Sequence, residues 1–344
     1  MSIHSHDSAV GHLDHSQQKD GRWALFTQVL FVLLALILLV FFRGQAQFQT
    51  LGIIFVSIVL EALPFMLLGT LVGGFLEVFV PQEKITRWLP EGSWWAVFLG
   101  AGIGLIFPVC ECAIVPVVRR LLQKGVPLGA AVAFLLGGPI VNPLVAASTA
   151  VAYFADWSIV IRRLVFGYVV AVAVGLIVNL IFTKTAAVRR EVFSEGTHPA
   201  LAVVSEHGRP ATAGEKIGLA VNHAAQDFFD IGRFLIIGAF VAAVLQTLIP
   251  RQLFSSALGT PSLSILGMMI MAVLLNLCSE ADAFVAASFR SSLVPLSAQL
   301  AFMVLGPMLD IKLIAMYHKI FRRWAIAALA VLTFTAVFLI TVFI

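Results

Sequence analysis

Apolar runs of roughly 20 residues recur along almost the whole chain, and that is the length a bilayer core requires of a helix. They lie at 23–42, 52–80, 94–118, 127–153 and 161–183, then at 229–249, 262–287, 295–316 and 322–343. The fold class this specifies is an all-α polytopic membrane protein with about 8–10 transmembrane helices. Composition agrees, since 60% of the 344 residues are apolar and only 12% charged, against about 25% charged in a soluble domain. A water-soluble globule is excluded. The net charge of +4 carries no nucleic-acid role, because Lys and Arg fall in short loops where they orient helices.

The chain divides into a polar His-rich tail over 1–22, an extra N-terminal transmembrane helix over 23–43, a first membrane repeat over 51–183, a polar linker over 184–227 and a second repeat over 228–344. The run at 23–42 is too long for a signal-peptide core of about 7–15 residues. Internal duplication rests on matched positions. At an offset of 169, Glu61 pairs with Asp230, Phe65 with Phe234, Gly69 with Gly238 and Pro81 with Pro250. At 168, Cys110 pairs with Cys278, Val126-Pro127-Leu128 with Val294-Pro295-Leu296, and Gly138-Pro139 with Gly306-Pro307; 11 of the 30 positions from Cys110 to Pro139 are identical. Apolar enrichment does not explain coincident Cys, Pro and Gly-Pro. Two homologous halves of this kind are a feature of transporter folds, whose sites lie between the repeats.

Several helices are expected to be broken. Pro108 precedes the first thiols; Gly138, Pro139 and Pro143 interrupt 127–153, and Gly306 and Pro307 repeat the interruption, where Pro removes a donor and disfavours helix before it. The charge pattern leaves parallel and inverted repeats open. Arg119, Arg120 and Lys124 share a side with Lys184, Arg189 and Arg190, but Lys319, Arg322 and Arg323 fall opposite if every segment spans once. One segment is therefore expected to enter and leave on the same face, with 127–153 the prime suspect.

The chemistry-bearing residues cluster at the same places. Cys110, Glu111 and Cys112 follow Pro108, and the third cysteine, Cys278, is the repeat equivalent of the first. Near it stand Glu280 and Asp282, while Asp310 takes the position equivalent to Asn142. Ionisable groups in apolar spans are functional candidates, and thiols with carboxylates suit soft metals. These eight residues, Cys110, Glu111, Cys112, Asn142, Cys278, Glu280, Asp282 and Asp310, form the candidate substrate site, with the three cysteines also candidate metal ligands. Glu111, Glu280 and Asp282 are expected to face one cavity. The alternatives are small apolar filler for the thiols and, for the carboxylates, ion pairs with Arg119, Arg290 or Lys312. His4, His6, His12 and His15 in the tail form a weaker metal-binding tract. No phosphate loop or hydrolase motif occurs, so the chain is read as no enzyme and as needing no cofactor.

At Pro108-Val109-Cys110-Glu111-Cys112, Lys124-Gly125-Val126-Pro127, Gly138-Pro139-Ile140-Val141-Asn142-Pro143, Cys278-Ser279-Glu280-Ala281-Asp282-Ala283-Phe284 and Gly306-Pro307-Met308-Leu309-Asp310 the chain resembles the predicted permeases that include the ArsP-type exporters of trivalent organoarsenicals. The resemblance runs from about residue 50 to the end. It implies a secondary permease of the bacterial plasma membrane, effluxing a small thiophilic solute, a trivalent arsenical or a soft metal ion, with protons a candidate coupling ion. Two other readings stand beside it: a membrane thiol-disulfide oxidoreductase, and the membrane subunit of a larger transport complex. Candidate associates are the lipid bilayer and a second copy or a small membrane partner.

Overall fold

A computed structural model describes residues 46–79, 93–106, 110–189, 192, 213–248, 261–290 and 294–343. The His-rich tail, the first predicted span, Pro108 and most of the linker lie outside the described residues. Thirteen helices are described: α1 Ala46–Phe79, α2 Trp94–Gly102 with a 3-10 turn Ile103–Leu105, α3 Glu111–Gln123, α4 Leu128–Gly137, α5 Pro143–Ala152, α6 Trp157–Ile181, α7 Lys184–Ala187, α8 Ala213–Leu248, α9 Pro261–Leu275, α10 Ser279–Ser288, α11 Leu296–Leu305, α12 Ile311–Tyr317 and α13 Arg323–Val342. The expected all-α architecture is what the described residues adopt. Their only β feature is an isolated bridge between Val188 and Phe321. Helix α8 begins inside the stretch read as linker.

Four helices, α1, α6, α8 and α13, are long and apolar enough to cross a membrane unbroken. The others are short because the sequence interrupts them. Pro127 and Pro295 cap α4 and α11, and each of these helices stops at the glycine of a Gly-Pro pair. The chain restarts at Asn142, whose side chain accepts from the amides of Leu144 and Val145 with Pro143 at the first helical position, and at Asp310, which accepts from Leu313. Both are good N-caps, satisfying amides that have no partner within the helix.

Close glycine contacts fix the direction of each helix within the compact unit Ile54–Ile344. Gly100 lies against Ala130, Gly137 against Ala101, and Gly104 against Gly138, so α2 and α4 run the same way. Gly138 meets Ile114 at the start of α3, and only Lys124–Pro127 separate the end of α3 from α4. Helix α3 therefore runs against both. Helices α2 and α3 are thus opposed short arms, with Trp94 and Gln123 towards the same face. Helix α6 opposes α4, with Gly129 against Gly175 and Gly167 against Ile140, so α4 and α5 cross the membrane with a central break. This corrects the expectation that 127–153 turns back. A Gly-Pro break frees backbone groups without dictating a reversal, and the reversal occurs earlier.

The second half repeats the packing: α9 with α11, α10 with α11 and α11 with α13 correspond to α2 with α4, α3 with α4 and α4 with α6. Each half thus contributes three crossings and one pair of opposed short arms, and an odd number of crossings inverts the second half relative to the first. Helix α8 does run antiparallel to its counterpart α1, as Gly74 faces Ala220, Met66 faces Gly232, and Ile58 packs with Ala239 and Ala242. Inversion resolves the charge conflict. The amide of Arg189 bonds the carbonyl of Ile320, the amide of Arg322 bonds that of Ala187, and Lys319 pairs with Asp230. Arg119 and Arg120 join the same face through Asp227. The basic clusters are gathered on one side, which the positive-inside rule makes cytoplasmic.

Candidate functional site

Four half-helices begin at mid-depth: α3 after Cys110, α10 after Cys278, α5 after Asn142 and α12 after Asp310. Their contacts cross between repeats, since α3 packs on α12 and α10 on α5. Cys110 and Cys278 are both N-cap residues with nearly the same backbone, φ −78° and ψ 169° or 157°. The 168-residue offset is therefore a true structural equivalence. Interruption exposes the positive ends of helix dipoles within the membrane, where they interact with charged groups.

Cys110, Cys112 and Cys278 line one small cavity of about 10 Å³, together with Ile58, Glu61, Ala62 and Phe65 of α1, Glu111 and Lys312. That volume holds about one water molecule. The Cys278 thiol also meets the carboxyl of Glu61. Beside the cavity Lys312 donates to Glu111 Oε1 at 3.0 Å and lies 3.3 Å from Asp310 Oδ2. Asn276, held at φ 53°, fixes this lysine by accepting its backbone amide at 3.1 Å. Ser279 lies 3.5 Å from Glu111 Oε2 and 3.2 Å from Glu280 Oε2, linking the two acids. Glu111, Lys312 and Asp310 are all buried. Two carboxylates share one ammonium, an arrangement that is expensive to bury unless its geometry is good.

Asp282 lies elsewhere. Its carboxylate rests on the second break, where a Cβ at Gly306 would stand 2.7 Å from Oδ2. The expectation that Glu111, Glu280 and Asp282 face one cavity is corrected on this point: Glu111 lines the thiol cavity, Glu280 reaches it through Ser279, and Asp282 does not line it. On this second side Arg163 is fully buried and donates to Thr149 Oγ1 at 2.8 Å and to the carbonyl of Ser279 at 2.7 Å. Nearby, Tyr153 donates to Gln299 at 2.9 Å.

A resident metal is not supported by the cysteines. Among the described residues no group of three or more His, Cys, Asp or Glu is arranged to hold a metal ion. Cys110 and Cys112 are two residues apart at a helix start, so their sulfurs leave the backbone in different directions. The histidine tract lies outside the described residues. Asn142 and Asp310 serve as caps, and Asp310 also faces Lys312. The acid pair Glu61 and Asp230 separates, with Glu61 at the cavity and Asp230 on the basic face beside Lys319 and Arg233. Burial pulls the Lys319 ammonium below its ordinary value even with Asp230 beside it.

Lys312 and Arg163 are the functional candidates that sequence reasoning missed. In the sequence Lys312 reads as a structural partner for the carboxylates, and Arg163 as the flank of a span beginning near 161. The signal was there: a cation inside an apolar crossing is as costly as an acid. Arg163 falls well within α6.

The sequence profile of the predicted permeases, ArsP_1, matches residues 47–344. The chain belongs to this family. The permease is 40% identical over 280 residues to UPF0718 protein YcgR of Bacillus subtilis, covering 81% of this chain and 92% of that protein. It is 38% identical over 269 residues to a Streptococcus mutans protein named as a subunit of a two-component membrane permease complex, covering 78% and 86%. A shorter match, 28% identical over 112 residues and covering 33% of this chain and 32% of that protein, is to UPF0718 protein YraQ of Escherichia coli. No solved structure matches the permease. It is a multi-pass bacterial membrane permease.

Proposed function

We propose that the permease exports a small thiophilic solute, most specifically a trivalent organoarsenical, through the interface between its inverted repeats. The observation that carries this reading is the meeting of Cys110, Cys112 and Cys278 at one cavity beside Glu61, Glu111 and Lys312. Cysteines from both repeats line it. A trivalent arsenic bearing a hydroxyl exchanges that group for a cysteine sulfur: the As–O bond breaks, an As–S bond forms, and the thiol proton leaves with the hydroxyl as water. The reverse step releases the cargo unchanged, so the protein acts as a carrier rather than as an enzyme.

The cavity is water-sized, which suits a resting state that opens as the repeats move. Soft metal ions share the affinity for sulfur, but the absence of a metal-holding cluster among the described residues favours the arsenical. The name of the Streptococcus mutans relative favours a further feature of the same reading, that transport needs a second membrane subunit. The test is a strain lacking the gene, challenged with methylarsenite, antimonite and zinc. Greater sensitivity to and accumulation of methylarsenite, reversed by the gene in trans, is expected. Unchanged resistance and accumulation for all three solutes would overturn the proposal.

A further inference from the structure

The duplication supplies an internal control for every buried charge. Ile114 and Asp282 are equivalent at the offset of 168, and both sit in the same place: Ile114 packs its Cδ1 on Gly138 of the first break, and Asp282 lays its carboxylate on Gly306 of the second. An apolar side chain therefore suffices to pack a half-helix against a Gly-Pro break. The carboxylate at 282 is not required by the architecture.

Nor is it comfortable there. Asp282 is 1% exposed and its Oδ2 has no hydrogen-bond partner. Burying an ionised oxygen without a partner costs several kcal/mol, whereas a neutral carboxyl in the same place costs far less. The charged groups near enough to act on it are Arg163 of α6, Glu111 of α3, and Lys312 and Asp310 from α12 and its cap; Arg163 is acted on in turn by Asp282, Glu280 and Tyr153. Helices α5 and α11, which pack on α10, present no titratable side chain. Lys312 is engaged by Glu111 and Asp310, which leaves Arg163 as the opposing charge. No salt bridge joins Arg163 to Asp282, and Arg163 Nε has no hydrogen-bond partner either. Two buried groups of opposite charge thus act on each other without forming an ion pair, with an unused donor on one and an unused acceptor on the other.

We propose that Asp282 is the proton-coupling site of the permease, separate from the thiol cavity, and that Arg163 stabilises its deprotonated state. A proton from one aqueous compartment adds to the Asp282 carboxylate, neutralising it against Gly306 with no other bond broken. On release to the opposite compartment the carboxylate turns to Arg163. Cys278 at the N-cap of α10 and Asp282 one helical turn later place cargo and proton along one half-helix, so movement of α10 couples them. This rests on the permease reading for its meaning but not for its chemistry.

The test has a part that needs no cargo. Infrared difference spectra of the full-length protein in lipid, recorded as pH is raised, are expected to show loss of a protonated-carboxyl band that is absent from Asp282→Asn and kept in Glu280→Gln. Asp282→Ile, which installs the side chain of the equivalent position, guards against misfolding of the first variant and is expected to lose the same band. In vesicles, either Asp282 variant is expected to exchange methylarsenite at equal pH while losing pH-driven accumulation, down to the level without a gradient. A carboxyl band unaffected by both substitutions, or full pH-driven accumulation in either variant, overturns the proposal. A band that belongs to Asp282 in a protein that moves no methylarsenite upholds the proton site and overturns the cargo reading instead.

Discussion

Glu111 is buried beside thiols at a point where the other repeat carries Ser279, and Lys312 stands where the first carries Leu144. These two substitutions create the ion pair that closes one side of the thiol cavity. Removing the cation alone strands two carboxylates, and loss of one member of a buried pair costs about 3–5 kcal/mol. Lys312→Met is therefore expected to lower the thermal unfolding midpoint by many degrees in detergent. The double variant Lys312→Met with Glu111→Gln is expected to regain part of the loss, since Asp310 stays stranded, and equal stability of single and double variants would contradict the pairing. The cysteines were legible in the sequence because Cys and Gly-Pro coincidences survive apolar bias. The cations were not, since Lys and Arg near span ends read as orienting charges until burial is known.

At the level of elements, the close approach of helices depends on glycines at their crossings. A Cβ at Gly100 would lie 2.5 Å from the carbonyl of Ala130, backbone that cannot yield without moving α2 off α4. Gly100→Ala is expected to destabilise by about 1–3 kcal/mol. Gly218→Ala, in an open stretch of α8, is expected to be neutral or slightly stabilising, because alanine favours helix by about 1 kcal/mol. Thermal unfolding of the two variants checks both signs. Breaks in the crossings were legible from Gly-Pro and Asn-Pro pairs. The opposed directions of α2 and α3 were hidden, since a run of apolar residues records length in hydrocarbon and not direction, and the residues between the two helices are as apolar as a continuous helix.

The described residues form two inverted repeats with Arg119, Arg120, Arg189, Lys319 and Arg322 on one face, an arrangement visible only once short opposed arms replace two of the presumed crossings. Single cysteines placed at Thr183, Trp157 and Arg323 in a background lacking the native thiols test it with an impermeant maleimide. Thr183→Cys and Arg323→Cys are expected to label from one side and Trp157→Cys from the other, whereas parallel repeats place Thr183 and Arg323 on opposite sides. Inversion is also what brings α3 onto α12 and α10 onto α5, and so brings Cys278 to Cys110 across the interface. The most direct measurement is methylarsenite flux into vesicles holding the protein, compared with Cys110→Ser, Cys112→Ser and Cys278→Ser at matched protein content. Serine keeps the shape but is a poor ligand for a soft centre. The account predicts flux in the native protein and at least a tenfold loss (about 1.4 kcal/mol) in Cys110→Ser and Cys278→Ser; native flux in all three variants would contradict it.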